Sequence, residues 1–282
     1  MPFGINTFLF SSPFSTREAS LFEKVARLGF QVFEMAIEDP ELIDAAEGRA
    51  QLEKYGLKPV VCTVVGPERN LAADDDAVYQ VANQYLNFCI DFAAQVGAKV
   101  ICGPFHSAVA YTELLSDSER SRVLERVSKR LRPLAAKAAD NGVLLAFETL
   151  NRFENCLINT TEQALELVKM VDSPALGIHL DTFHMNIEEK DMPAAIRLAG
   201  PVLYHFHTCE NDRGILGTGH IPWKDIAVAL REVNYHGDFV IESFTDQVRS
   251  IARAVSTWRK VAPSSEVLAE KGLQFLKSNF VF

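Results

Sequence analysis

The chain has 282 residues, 48% of them hydrophobic, with 37 acidic against 28 basic side chains and a formal net charge of −9. That balance speaks against a nucleic-acid partner and leaves no polybasic run for a membrane surface, so a small neutral or metal-bridged ligand suits the chain better. Cysteines at 62, 89, 102, 156 and 209, odd in number and without a CxxC pair, indicate neither a disulfide framework nor a zinc knuckle, and fit a reduced, cytoplasmic protein.

The apolar N-terminus lacks a basic n-region and is too short to span a bilayer, so the chain is expected to act from Met1. Residues 3–8 read as a strand, and Ser15-Thr-Arg-Glu18 as a capping box opening a helix with Leu21, Phe22, Val25 and Leu28 on one face. Gly29 closes that helix, and the grammar repeats: strand 32–37, helix 40–55 closed by Gly56, strand 59–65, helix 77–96 closed by Gly97, strand 99–105. Helix 118–140 feeds strand 143–149. A helical pattern then leads to a strand ending at Asp181, a short helix at 192–198, strand 202–207, and a glycine-rich loop at 208–220. Pro222 and Trp223 start the next helix, strand 239–244 follows, and a last helical region runs over 248–277.

Strands that are β-branched apolar runs, alternating with helices, indicate a parallel sheet covered on both faces. Eight units are what a closed barrel needs. No GxGxxG follows the first strand, and no break in composition divides the chain, which disfavours a doubly wound sheet. The expected fold is therefore α/β, a single (β/α)8 barrel domain over residues 1–282 with a C-terminal helical extension.

In such a barrel, polar residues at the carboxyl ends of strands converge on one mouth, which selects Glu34, Cys62, His106, Glu148, Asp181, His207 and Glu242. Taken singly, each is more often a salt-bridge partner or a satisfied polar group than a ligand. In combination, Glu148, Asp181, His207 and Glu242 lie on four consecutive strands with no obvious cation nearby in sequence. Three acids cannot share a small mouth unpaired. A divalent ion resolves the conflict, and three oxygens with one imidazole favour Mn²⁺, with Co²⁺ or Mg²⁺ as alternatives, over a thiolate-preferring zinc site. Glu154, His184 and Arg213 follow these strand ends closely enough to reach the same mouth. Taken alone, Glu154 and Arg213 would be a surface ion pair, and His184 a cap or loop hydrogen bond.

The segments Glu148-Thr-Leu-Asn-Arg-Phe-Glu154, Leu180-Asp-Thr-Phe-His-Met-Asn-Ile-Glu-Glu189, His205-Phe-His207-Thr-Cys-Glu210-Asn-Asp-Arg213, Gly217-Thr-Gly-His-Ile-Pro-Trp223 and Glu242-Ser-Phe244 resemble the D-tagatose 3-epimerase, D-allulose (psicose) 3-epimerase and L-ribulose 3-epimerase family. The resemblance spans the whole chain, including Trp258-Arg259 and Gly272-Leu-Gln-Phe-Leu276, and is strongest after residue 142. It implies divalent-metal-dependent epimerisation of a free ketose at C3 through an enediolate. Glu148, Asp181, His207 and Glu242 would hold the metal, with Glu148 and Glu242 doubling as the acid/base pair. Glu154, His184 and Arg213 would hold O1 and O2 of the sugar, and Cys62 falls near the substrate or is plain packing. A homodimer or homotetramer is also implied, with the C-terminal helical region a candidate interface.

Departures from the family at Val109 and at Asn6-Thr7-Phe8 fall on positions expected to face carbons 4 to 6 of the sugar. The rival enzyme reading is an aldose–ketose isomerase of hydroxypyruvate, rhamnose or inosose type, since the same quartet can move a proton between C1 and C2. Endonuclease IV resembles the barrel too, but its three-zinc site needs more histidines and a basic face. A non-catalytic sugar-binding barrel would be favoured only if one of the four ligands were missing.

Overall fold

The computed structural model describes residues 1–280. In chain order the elements are β1 (Phe3–Asn6), α1 (Ala19–Leu28), β2 (Val32–Ile37), α2 (Ala45–Tyr55), β3 (Lys58–Thr63), α3 (Asp76–Val96), β4 (Val100–Gly103), α4 (Asp117–Asp140), β5 (Leu144–Glu148) and α5 (Thr161–Val171). There follow β6 (Leu176–Asp181), α6 (Thr182–Glu188), α7 (Met192–Ala199), β7 (Leu203–Thr208), α8 (Trp223–Glu232), β8 (Phe239–Ile241), α9 (Arg249–Ala254) and α10 (Ser265–Asn279). The eight strands pair in sequence order and close, β1 bonding to β8 in parallel, so the expected (β/α)8 barrel is the fold.

Two apolar layers hold it together. A belt between barrel and helices is filled by fully buried residues such as Phe22, Phe33, Leu131, Phe147, Phe206 and Leu268. A smaller plug inside the barrel contains Val32, Val60, Cys62, Cys102, Ala146 and Val240. Because side chains alternate along each strand, the inward partners two residues on from Val32, Ala146 and Val240 are Glu34, Glu148 and Glu242. Polar residues therefore stand directly above an apolar floor.

Local departures have local causes. The first strand stops at Asn6, whose side chain accepts from the Phe8 amide and turns the chain into a 3-10 helix over Thr7–Leu9. The capping box expected at Ser15 does not form: its hydroxyl donates to the Leu42 carbonyl at 3.0 Å, and Glu18 accepts from Ser11 instead. Capping boxes do form at Ser116/Glu119 and Thr160/Gln163. The helix expected over 40–55 is a 3-10 turn, Pro40–Leu42, followed by α2, because Asp39 and Asp44 each start a segment as caps. The expected C-terminal helix is two, since Ser256 adopts a left-handed φ of 58° and the Ser264 hydroxyl caps a fresh start. The apolar face of α10 packs on the barrel, with Leu268, Ala269, Leu273 and Leu276 buried. Among the described residues no helix is long and apolar enough to cross a membrane.

Candidate metal and catalytic site

Glu148 ends β5, Asp181 ends β6, His207 is the fifth residue of β7, and Glu242 directly follows β8. Register brings them together: Glu148 lies opposite His179, Asp181 opposite His207, and His207 opposite Val240, two residues before Glu242. One ligand-type atom from each of the four lies within 4.8 Å of the other three, and all four residues are buried. His207 Nδ1 is 3.7 Å from Asp181 Oδ2 and 3.6 Å from Glu242 Oε2. Among the described residues, His207 Nδ1 and Glu148 Oε1 are buried without a hydrogen-bond partner. Three carboxylates and one imidazole nitrogen converging with unspent lone pairs fit a divalent cation of borderline hardness.

The orientation of each ligand is fixed by its neighbours. Asp181 caps α6, its Oδ1 accepting from the Phe183 amide at 2.6 Å, which leaves Oδ2 turned into the mouth. Oδ2 accepts from Arg213 Nη1 at 2.7 Å and from the Cys209 thiol at 3.1 Å. The same Nη1 reaches Glu242 Oε2 at 3.1 Å. A cation therefore does lie beside the quartet, supplied from the loop after β7. Its guanidinium carbon stands over the Phe183 ring at 4.2 Å and within 5.1 Å of the Phe244 centroid, an aromatic clamp that replaces lost hydration. Arg213 itself holds a φ of 60°, a strained backbone for a non-glycine residue. Its carbonyl is tied down by the Ser243 hydroxyl and its amide by the Glu210 carbonyl.

Charge is unevenly shared across this mouth. Burial and the neighbouring charge of Glu242 push the Glu148 carboxyl well above its ordinary pKa. Burial works in the same direction on Asp181, but Arg213 and His207 outweigh it and hold that carboxyl well below. Burial opposes protonation of His207, yet Glu34 and Glu242 raise its pKa well above the ordinary value.

The residues expected to hold sugar surround the quartet. His184 Nδ1 accepts from the Asn151 backbone amide at 3.2 Å, so the proton of the neutral ring sits on Nε2, which lies 3.6 Å from Glu148 Oε1 and 3.4 Å from Arg213 Nη2. Glu154 accepts from Asn151 Nδ2 at 2.8 Å, placing one asparagine between the two groups. Cys62 lies in the apolar interior layer with Val60, Cys102 and Ala146. Glu34 and His106 are not at the rim. Glu34 is the third residue of β2 and sits inside the barrel beneath the quartet, bonded to His207. His106 lies three residues beyond β4, its ring edge-on to Phe147 at 5.6 Å, and belongs to no cluster of ligand-type side chains among the described residues. Burial pushes its pKa down to about 4.

Several contributors went unread in the sequence. The side-chain amide of Asn6 donates to Glu34 Oε1 at 2.7 Å and reaches Glu242 Oε1 at 3.5 Å. His179 and His205 are fully buried, with ring centroids 4.0 and 5.1 Å from that of His207. Spacing of two from Asp181 and His207 puts both on the inward face of their strands, a signal the sequence does carry. Cys209 stands two residues after His207, just past the end of β7, and its thiol donates to Asp181 Oδ2 at 3.1 Å.

Residues 22–279 match the family described as xylose isomerase-like TIM barrel. A probable ketose 3-epimerase of Synechocystis sp. is 35% identical over 278 residues, covering 99% of this chain and 96% of that protein. The D-psicose 3-epimerase of Agrobacterium fabrum is 32% identical over 275 residues, covering 95% and 93%. The crystal structure of a Methylomonas sp. D-allulose 3-epimerase in complex with D-allulose superposes with a TM-score of 0.92 at 29% identity, covering 99% of this chain and 97% of that one.

Proposed function

Because the chain belongs to the xylose isomerase-like TIM barrel family, and within it to the ketose 3-epimerases, we propose that it inverts C3 of a free ketohexose or ketopentose with the help of a divalent metal ion. The observation that carries the reading is the buried convergence of Glu148, Asp181, His207 and Glu242. These four would hold the ion, with Mn²⁺ preferred and Co²⁺ or Mg²⁺ as alternatives. When bound, the ion would draw electron density from the sugar oxygens and lower the cost of making C3 acidic.

The remaining work falls to side chains. One carboxylate of the pair Glu148 and Glu242 takes the C3 proton, leaving an enediolate. The other, on the opposite face, returns a proton to C3 and so inverts it. The two stand on β5 and at the end of β8, separated by β6 and β7, an arrangement that suits two-faced proton transfer. The Nε2–H of His184 and the guanidinium of Arg213 are donors suited to O1 and O2, and Glu154 is an acceptor for a sugar hydroxyl. Burial of Glu148, Glu242, His184 and Arg213 limits competition by water for the proton.

Incubation of the Mn²⁺-loaded protein with D-fructose, D-tagatose and L-ribulose, followed by chromatography, tests the reading. C3 epimers are the expected products. An aldose product would assign the chain to the aldose–ketose isomerases instead, and no product from any ketose would leave a sugar-binding barrel.

A further inference from the structure

We propose that Glu34 is the positioning residue of this metal centre, fixing His207 with a proton on Nε2 so that Nδ1 is presented to the ion. The inference rests on reading the quartet as a metal site. Glu34 is fully buried inside the barrel. Its Oε1 lies 2.7 Å from His207 Nε2 and accepts from Asn6 Nδ2 at 2.7 Å. Its Oε2 lies 2.6 Å from His205 Nε2 and accepts from the Cys102 thiol at 3.3 Å. An ionised carboxylate can only accept, so the His207 nitrogen facing it must carry hydrogen. In the neutral ring, the form that binds a metal, the other nitrogen then offers a lone pair to the space shared with Asp181 and Glu242. A carboxylate behind a ligating histidine fixes its tautomer and raises its basicity.

Asn6 extends the control to a second ligand. Its Oδ1 accepts from the Phe8 amide at 2.9 Å, which fixes the orientation of the side-chain amide. Its Nδ2 is thereby left to bridge Glu34 Oε1 and Glu242 Oε1. Glu34 thus sets the geometry of His207 directly and of Glu242 through Asn6.

Glu34, Cys102, His205 and His207 could themselves be read as a second metal site, since their ligand atoms also lie within 4.8 Å of one another. Distances decide against it. Nitrogen and oxygen ligands sharing one ion at about 2.1 Å stand roughly 3 Å or more apart. The contacts at Glu34 are 2.6 and 2.7 Å, the spacing of direct proton-sharing contacts, whereas those at His207 Nδ1 are 3.6 and 3.7 Å.

Calorimetric titration of chelator-stripped protein with Mn²⁺ is the test. Wild type should bind, and Glu34→Gln should bind about 10- to 100-fold more weakly, with the ketose KM unchanged once Mn²⁺ is saturating. Glu34→Asp, which keeps the charge, should recover part of the affinity. Equal Mn²⁺ affinity in wild type and a folded Glu34→Gln protein overturns the role of Glu34 while leaving the metal centre standing. Absence of binding by wild type overturns both. A variant-free measurement covers a Glu34→Gln protein that does not fold: ¹⁵N NMR of wild type loaded with diamagnetic Zn²⁺. There His207 is expected to carry its proton on Nε2, and a proton on Nδ1 would overturn the proposal.

Discussion

His207 carries one ring nitrogen into each of two carboxylate clusters, and the clusters are balanced differently. Below the ring, Glu34 is met by Asn6, His205, His207 and Cys102. Burial works against its ionisation, but the charges of His207 and His205 hold its carboxyl well below the usual range. Above the ring, Glu148, Asp181 and Glu242 share the one guanidinium of Arg213, and Glu148 is left with its carboxyl pushed well up by burial and by Glu242. In the lower cluster both oxygens of Glu34 are met by protein groups. The upper one has spare acceptors and too little positive charge, which is the condition of a ligand socket.

That contrast can be tested from its most reactive member outward. Glu242→Gln should keep the fold, because it is isosteric and leaves the hydrogen bonds at Glu34 in place, yet slow exchange of the ketose C3 proton with solvent by about 10³-fold. Proton NMR in deuterated buffer measures this, and retained exchange would sink the two-carboxylate mechanism. Arg213→Ala should destabilise the metal-free protein by about 3 kcal/mol, because it leaves buried carboxylates unpaired. Mn²⁺ should restore most of that stability in denaturant titrations, while the ketose KM stays raised. An Arg213→Ala protein as stable as wild type without metal, or with an unchanged KM, would show that the guanidinium balances nothing there.

For wild type, Mn²⁺ at about a hundredfold excess over its Kd should add about 2.7 kcal/mol to the unfolding free energy, since a ligand of the native state alone must stabilise it. An unmoved unfolding midpoint would mean that the upper cluster is not a socket.

The smallest effect lies outside both clusters. His106 is neutral in the fold, with a pKa of about 4, whereas the unfolded chain takes up its proton near the ordinary 6.5. Between those values the unfolded state binds more protons, so stability falls as pH falls, by about 2 kcal/mol from pH 7 to 5. His106→Gln should lose that part of the pH dependence without changing Mn²⁺ affinity, and an unchanged slope would remove the assignment.

Much of this was legible in the chain. Strand–helix alternation with glycine stops is a local signal, and Glu148, Asp181, His207 and Glu242 stand at or near strand ends because their neighbours are β-forming apolar runs. Glu34 was legible as an inward polar residue but not as a buried one, since depth depends on strand stagger: it falls at the third position of β2, whereas Asp181 falls at the sixth of β6. The C-terminal split was less visible, because periodicity ran on through a stretch where caps and a left-handed residue decide.

What the sequence determined by itself was the class of fold and a set of strand-end polar residues that contains the four at its mouth, because both rest on the period of strands and helices. What only the tertiary structure decided was which charges meet. Arg213 reaches Asp181 and Glu242 from a loop. Asn6 joins Glu34 to Glu242, which lies 236 residues further along the chain from Asn6. His207 divides its two nitrogens between a closed network and an open one. Those pairings follow from barrel closure, which brings β1 beside β8, and spacing along the chain carries no record of them.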